Sequence, residues 1–315
     1  MELSTPIIFE PLYMERVWGG RRLELLPGKR LPHGTRIGES WEIVDREEAQ
    51  SVVHDGPLRG ATLHELWTCH RSTLFGQGLP DSERFPLLCK ILDAQERLSV
   101  QVHPPAEVAA QLGGEPKTEM WYVMDAMLDS DLYAGMKRGA TRESFKEALH
   151  LGLVADQINV MPVKKGDTIF IPSGRVHAIG AGNLIVEVQQ NSDTTYRVFD
   201  WNRIGSDGRP RDLHIAESLA SINFDDIEPS MATPVEGGPL VECEYFRVDK
   251  WQFTGSRSCD AGERFAIFTV VDGEIACGGR EFGPGSFFFV PPVIAHGELK
   301  AQGEATVLRT TIPAA

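Results

Sequence analysis

The chain has 315 residues, 42% of them hydrophobic, and a formal net charge of −14. That length allows one or two domains with a buried core and no disulfide support. The acidic balance excludes the basic footprint of a nonspecific nucleic-acid binder, and any anionic ligand must find a local positive pocket against an unfavourable overall field.

The cysteines are Cys69, Cys89, Cys243, Cys259 and Cys277, an odd number with no C-x-x-C pair. This usage predicts reduced thiols in a cytosol rather than a disulfide framework or a zinc knuckle. The first residues, MELSTPIIFEPLY, show no basic n-region and no long apolar run, so no secretory signal is expected. No apolar stretch approaches the ~20 residues of a membrane span. A cytoplasmic protein with neither membrane nor nucleic-acid partner is predicted.

In chain order, short apolar or alternating runs bounded by Gly, Pro and Asp predict strands. The first is Ser40–Asp45, followed by a short helix over Thr62–Trp67. Strands follow at Pro86–Ala94, Leu98–Pro104 and Met120–Ala126. Thr141–Leu153 reads as a helix, opening on a Thr cap with Phe145, Ala148 and Leu149 near one face. Strands at Thr168–Ser173 and Leu184–Gln190 and a helix over Leu213–Ile222 come next. Glu228–Leu240 is rich in Pro and Gly and reads as a linker. Two more strands, Phe265–Gly273 and Ser286–Pro292, lie beyond it. Many short strands and few helices predict a mainly β chain of sandwich or barrel architecture.

An internal repeat sharpens this expectation. Gly166 begins GDTIFIP and is followed eleven residues later by His177; Gly285 begins GSFFFVP and is followed eleven later by His296. Two G-x5-P-x4-H matches in apolar contexts imply two copies of one β-fold. The pattern resembles the second motif of the cupin jelly roll, so two cupin barrels with a few short helices are expected. The expected division is 1–227 for a metal-binding first barrel with its N-terminal strands and helices, 228–240 for the linker, and 241–315 for a second barrel. Ala266–Asp272 offers no carboxylate where the first copy has Glu119. The second barrel is therefore expected to be metal-free, with His296 a vestige of the repeat.

The first copy carries the candidate chemistry. Gln101 and His103 in QVHPP are two residues apart in a strand-like run and so share a face. Glu119 follows in KTEMWYV and His177 in IPSGRVHAI. Two imidazoles, a carboxylate and an amide oxygen are what a divalent metal site needs. Gln101 reads either as a ligand or as a partner of substrate or metal-bound water, because a neutral amide oxygen binds weakly. Lys117 lies two residues before Glu119 and would look into the same site. Lys90 is flanked by Leu88 and Ile91 in an apolar strand, and a lysine there needs a polar cavity or a partner. Trp18, Trp41, Trp121 and Trp201 read as packing residues. His33, His54, His64, His70, His150 and His214 have no motif context and read as structural or surface.

The runs GESWEI, FPLLCKILDA, LSVQVHP, KTEMWYV, IPSGRVHAIG and VEVQQNSDTTYRVFDWNR occur in that order. Together, over roughly residues 5–225, they closely resemble the type I mannose-6-phosphate isomerases in their short bacterial form. The resemblance implies a zinc-dependent aldose–ketose isomerase that interconverts mannose 6-phosphate and fructose 6-phosphate through a cis-enediolate, with one Zn2+ per chain. It implies His103, Glu119 and His177 as ligands with Gln101 as a fourth, Arg197 and Lys117 as catalytic residues, and Lys90, Ser99, Lys117 and Arg197 around a small sugar-phosphate substrate. Arg197 and Ser99 rest on the resemblance alone. Met120, Pro105 and Ala106 depart from the usual pattern without touching a proposed ligand. A cupin metal-dependent oxygenase and a non-catalytic sugar-phosphate-binding cupin are the rival readings, since His, His and Glu suit iron or manganese as well. The proton-transfer base and the oligomeric state, monomer or homo-oligomer, are left open by the sequence.

Overall fold

A computed structural model describes residues 3–205, 208–233, 237–259, 262–294 and 297–313. The chain is mainly β, and each strand run expected from the sequence is occupied by a strand. The first strands are β1 (Leu12–Gly20), β2 (Ile37–Ile43), β3 (Leu87–Ala94), β4 (Val100–Val102), β5 (Glu119–Ala126) and β6 (Asp131–Met136). Then come β7 (Ile158–Pro162), β8 (Thr168–Ile171), β9 (His177–Ile179), β10 (Asn183–Gln190) and β11 (Tyr196–Phe199). The C-terminal strands are β12 (Val241–Glu242), β13 (Arg247–Ser258), β14 (Ala266–Asp272), β15 (Ile275–Cys277), β16 (Arg280–Phe282), β17 (Phe287–Val290) and β18 (Glu298–Thr311).

The three expected helices are α1 (Leu63–Cys69), α4 (Arg142–Leu151) and α5 (Ile215–Ser221); the short α2 (Arg71–Leu74) and α3 (Ala106–Ala109) were not expected. Thr62 and Thr141 start α1 and α4 with reciprocal capping boxes, each side chain accepting from the amide three residues on. No helix among the described residues is long and apolar enough to cross a membrane.

Pairing makes a six-stranded sheet in the order β1-β2-β3-β10-β5-β8 and a five-stranded one in the order β11-β4-β9-β6-β7. The C-terminal strands form one seven-stranded sheet. Pairing among the described residues thus leaves three open sheets, where two closed barrels were expected. In the C-terminal unit the reason lies in β18. Its first half pairs with β15 and its second half with β14, while β13 follows its whole length across a register shift at Thr254 and Ser256. A bulge there bends the long hairpin, so one strand pair serves both sides of the unit without a ring of ladders. His296 lies outside the described residues.

Alternation along the central strands sorts their side chains. Leu87, Cys89 and Ile91 of β3, Val186 and Val188 of β10, and Met120 and Tyr122 of β5 join one large apolar cluster. Phe246, Phe265 and Phe289 of the C-terminal unit and Ile7 and Phe9 of the N-terminus belong to the same cluster. The six-stranded sheet is therefore sealed on one face by the C-terminal unit. Its other face carries Lys90, Glu187, Trp121 and Glu119, which explains why β2 and β3 are buried along their whole length although one face is polar.

Gly76 sits at this seam. It bridges to Arg264, its φ is +96°, and a Cβ would come within 2.0 Å of the Glu263 carbonyl oxygen. Gly76→Ala is expected to cost about 2 kcal/mol or more in a denaturant melt, because strain and clash fall on backbone that cannot yield cheaply. An unchanged midpoint would refute that.

Candidate metal centre and adjoining pocket

Two rows of residues build the site. On the six-stranded sheet, Lys90 stands opposite Glu187, Glu187 opposite Trp121, and Glu119 opposite Gln189. On the five-stranded sheet, Arg197 stands opposite Gln101 and Gln101 opposite His177. Lys90, Glu187 and Trp121 of the first row and Gln101 and Arg197 of the second line one cavity of about 440 Å³. That volume lies within the range of about 300–1,000 Å³ typical of small-molecule sites.

Behind Gln101 and Lys117 of the cavity wall, His103, Glu119 and His177 converge, their ligand atoms all within 4.8 Å of one another. Nε2 of His103 is 3.5 Å from Oε2 of Glu119, and Nε2 of His177 is 3.5 Å from Oε1. Each imidazole is oriented through its other nitrogen, Nδ1 of His103 toward the Thr194 carbonyl (2.7 Å) and Nδ1 of His177 toward the Arg175 carbonyl (2.9 Å). A carbonyl only accepts, so the proton sits on Nδ1 and the Nε2 lone pair points inward. Burial and the neighbouring Lys117 hold His103 below its ordinary pKa. Burial and the facing His103 bring His177 down to about 3. Both rings are neutral at pH 7, the state a metal ligand requires.

Glu119 is fully buried, and neither of its oxygens accepts a hydrogen bond of good geometry. Burial raises its pKa, but the Lys117 ammonium beside it outweighs that and keeps it well below the usual carboxylate range. A buried, ionised carboxylate is costly unless cations are near; Lys117 supplies one at Oε2, and Oε1 faces the neutral imidazole of His177. Two inward lone pairs and this carboxylate are a donor set that suits a divalent metal. The residues present fit such an ion.

Lys117 precedes β5 and still reaches the site as the i, i+2 spacing predicts. Its Nζ is 3.1 Å from Oε2 of Glu119, 3.4 Å from Nε2 of His103 and 3.8 Å from Oε1 of Glu187. Lys90 has the partners its apolar strand demanded, Glu187 at 3.1 Å and Glu39 at 3.7 Å. Burial lowers its pKa, but Glu187 and Glu39 more than reverse this, so the ammonium stays charged. Arg16 then binds Glu39 through Nε at 3.0 Å. Charges thus alternate across five strands from Glu119 to Arg16, with neighbouring ladder spacings close to 4.8 Å suited to such cross-strand pairs.

Gln101 directs its amide nitrogen to Nε2 of His177 at 3.2 Å, and Ser99 Oγ lies 3.5 Å from its Oε1. Placing that oxygen toward the two imidazoles takes a half-turn of the amide, which hydrogen bonding alone distinguishes from the present one. Arg197 donates from Nη1 to the Asp212 carbonyl, and its backbone amide is held by His214 Nδ1. His214 therefore stands directly behind a pocket residue. Trp41 is buried as expected, and Trp18 and Trp121 are buried in the cavity wall.

Sequence reasoning missed Glu187, Glu39, Arg16, Asp193 and Arg211, all of which line the cavity. For Glu187 the signal was present. It interrupts the apolar run LIVEV as Lys90 interrupts LLCKIL, and the same argument about a buried charge applies to both.

The type I phosphomannose isomerase catalytic-domain model matches residues 8–143, and the mannose-6-phosphate isomerase cupin-domain model matches residues 238–312. Mannose-6-phosphate isomerase ManA of Bacillus subtilis is 38% identical, over 96% of this chain and 97% of its own. The crystal structure of a mannose 6-phosphate isomerase from Bacillus subtilis superposes with a TM-score of 0.85 at 32% identity, covering 98% of this chain and all of that one. A mannose 6-phosphate isomerase structure bound with zinc and yttrium shares the fold at a TM-score of 0.74 and 16% identity, covering 98% of this chain and all of that one.

Proposed function

The chain belongs to the type I phosphomannose isomerases, and from that premise we infer that its cavity interconverts mannose 6-phosphate and fructose 6-phosphate on a bound divalent metal, zinc by preference. The observation that supports this most is the convergence of His103, Glu119 and His177, all buried, against the Gln101 and Lys117 wall of a cavity lined with cations. His103, Glu119 and His177 would hold the ion, with Gln101 as the fourth ligand once its amide is turned. When bound, the ion would supply positive charge against the negative charge that develops on the sugar.

The chain's own residues do the rest. The reaction carries a proton between C2 and C1 of the open-chain sugar, through a cis-enediolate. Lys117 and Glu187 face the same space, and both can hold a proton. Burial and the nearby Glu119 push Glu187 above the ordinary carboxylate range. Arg197 is permanently charged and opposes the developing negative charge from the facing sheet. Lys90 and Ser99 contribute donors to the sugar. The buried walls of Trp18 and Trp121 exclude water from the enediolate.

The fold we propose places a catalytic cupin unit at 1–227, a linker at 228–240 and a metal-free cupin unit at 241–315, in a cytosolic enzyme. The test is a coupled assay that follows fructose 6-phosphate formation from mannose 6-phosphate by the purified chain. Activity lost on chelation and restored by zinc is the expected result. Binding of the sugar phosphate without turnover, or oxygen uptake in its place, would overturn the reading.

A further inference from the structure

The cysteines take no part in the chemistry above, yet two of them meet. Sγ of Cys259 lies 3.8 Å from Sγ of Cys277, and both residues are buried in the C-terminal unit. They are 18 positions apart in the chain, and β18 brings them together. Leu299 of that strand pairs with Arg257 of β13 on one side and with Cys277 of β15 on the other. Cys259 carries the β13 ladder further, its amide donating to the Gly297 carbonyl at 3.0 Å. Gly297 has no side chain, and a Cβ there would stand 2.6 Å from the Cys259 sulfur. The Cys259 thiol therefore lies across the glycine and reaches the far strand.

Two observations make this contact more than packing. The first is geometry. Joining the sulfurs takes them from 3.8 Å to the ~2.0 Å of a disulfide, a movement on the scale of side-chain rotation. The second is access. A cavity of about 630 Å³ adjoins the pair, with Leu3, Pro6, Cys277, Val293, Ile294 and Gly297 in its wall. It shares no lining residue with the cavity beside the metal centre. Its apolar wall favours a small neutral oxidant over a charged peptide disulfide. The hydrogen bond with Cys259, and then burial, hold the Cys277 thiol above its ordinary pKa. A protonated thiol reacts slowly, so the pair rests reduced until an oxidant is abundant.

We propose that Cys259 and Cys277 form a redox modification site, closed to a disulfide by hydrogen peroxide that enters through this cavity. Cys277, at the cavity wall, gives up its proton as its sulfur attacks one peroxide oxygen. The O–O bond breaks, a sulfenic acid forms, and the departing hydroxide takes the proton and leaves as water. The Cys259 sulfur then attacks the sulfenic sulfur. The S–S bond forms, the S–O bond breaks, and a second water leaves with the Cys259 proton. Two thiols lose two electrons, and one peroxide is reduced to two waters. The new bond staples β13 to β15 across the start of β18. Neither thiol touches the metal centre, so the switch stands apart from the sugar-phosphate reading.

The test uses the full chain carrying Cys69→Ser, because Cys69 is an exposed thiol that would join chains to one another. Hydrogen peroxide is added to the reduced protein, and the remaining thiols are alkylated on unfolding. Peptide mapping is expected to find Cys259 linked to Cys277, with the link reversed by dithiothreitol. The melting temperature should rise by roughly 5 °C on oxidation, as closing a loop of this length predicts. That rise should vanish in Cys259→Ala and in Cys277→Ala, each compared with itself before and after peroxide. Where an alanine variant does not fold, the mapping of the parent chain still decides. Both thiols remaining open to alkylation after peroxide would overturn the proposal. So would a Cys277 carried on to sulfinic acid with Cys259 unlinked.

Discussion

Replacing Glu119 by alanine is expected to reduce isomerisation at least ~1,000-fold and to release the metal, since one of three converging ligands and the only anionic one is lost. The two imidazoles remain oriented by the Thr194 and Arg175 carbonyls, so the defect is loss of charge rather than of geometry. Glu119→Gln tests this point. It keeps the shape and one acceptor oxygen but not the charge, and it should also lose metal and activity while melting as a folded protein. Metal content by mass spectrometry and turnover by the coupled assay are the two readings. Near-normal turnover in either variant would show that the ion sits elsewhere. Lys117 makes the outcome sharper. Its ammonium, 3.1 Å from Glu119, is left beside two neutral imidazoles in the variants, and this local positive charge opposes retention of a divalent ion by the two histidines alone.

Phe265→Ala is expected to have the largest effect on stability, about 3–5 kcal/mol. The ring is 1% exposed and stacks on Phe289 at 4.8 Å between centroids. It also meets Phe75 at 5.6 Å and Phe85 at 5.5 Å, which belong to the N-terminal unit. Removing it therefore opens a cavity in the layer that joins the C-terminal unit to the six-stranded sheet. The pocket lies on the other face of that sheet. Denaturant unfolding should show the full loss in one transition, while KM of the folded variant stays near that of the wild type. Two separated transitions, with the C-terminal one alone displaced, would show that the two units do not share a cooperative core.

The strands were legible because the chain alternates or runs apolar between Gly, Pro and Asp, and that pattern is local. The candidate metal-binding cluster was legible in part for a related reason. Gln101 and His103, and Lys117 and Glu119, are each two residues apart, and spacing within a strand decides which face a side chain takes. Lys90 was legible because a lysine among Leu88, Ile91 and Leu92 has no bland explanation without a partner. The resemblance supplied Arg197, whose polar surroundings carry no signal of their own.

What the sequence by itself determined, then, is a β chain whose own periodicity brings candidate metal-binding groups to one face. Only the tertiary structure decided what stands opposite them. Glu39 and Arg16 come from strands far earlier in the chain, Glu187 from one far later, and they meet Lys90 through the sheet order β1-β2-β3-β10-β5. Arg211 lines the cavity, and the turn after β11 holds Trp201 in left-handed backbone that its own propensity would not give it. The closure of the fold was likewise beyond local reading. Whether the G-x5-P-x4-H repeat ends in rings or open sheets depends on how β18 divides its ladder between β14 and β15. Pairing across such distances is fixed by packing of the whole chain, not by any window of it.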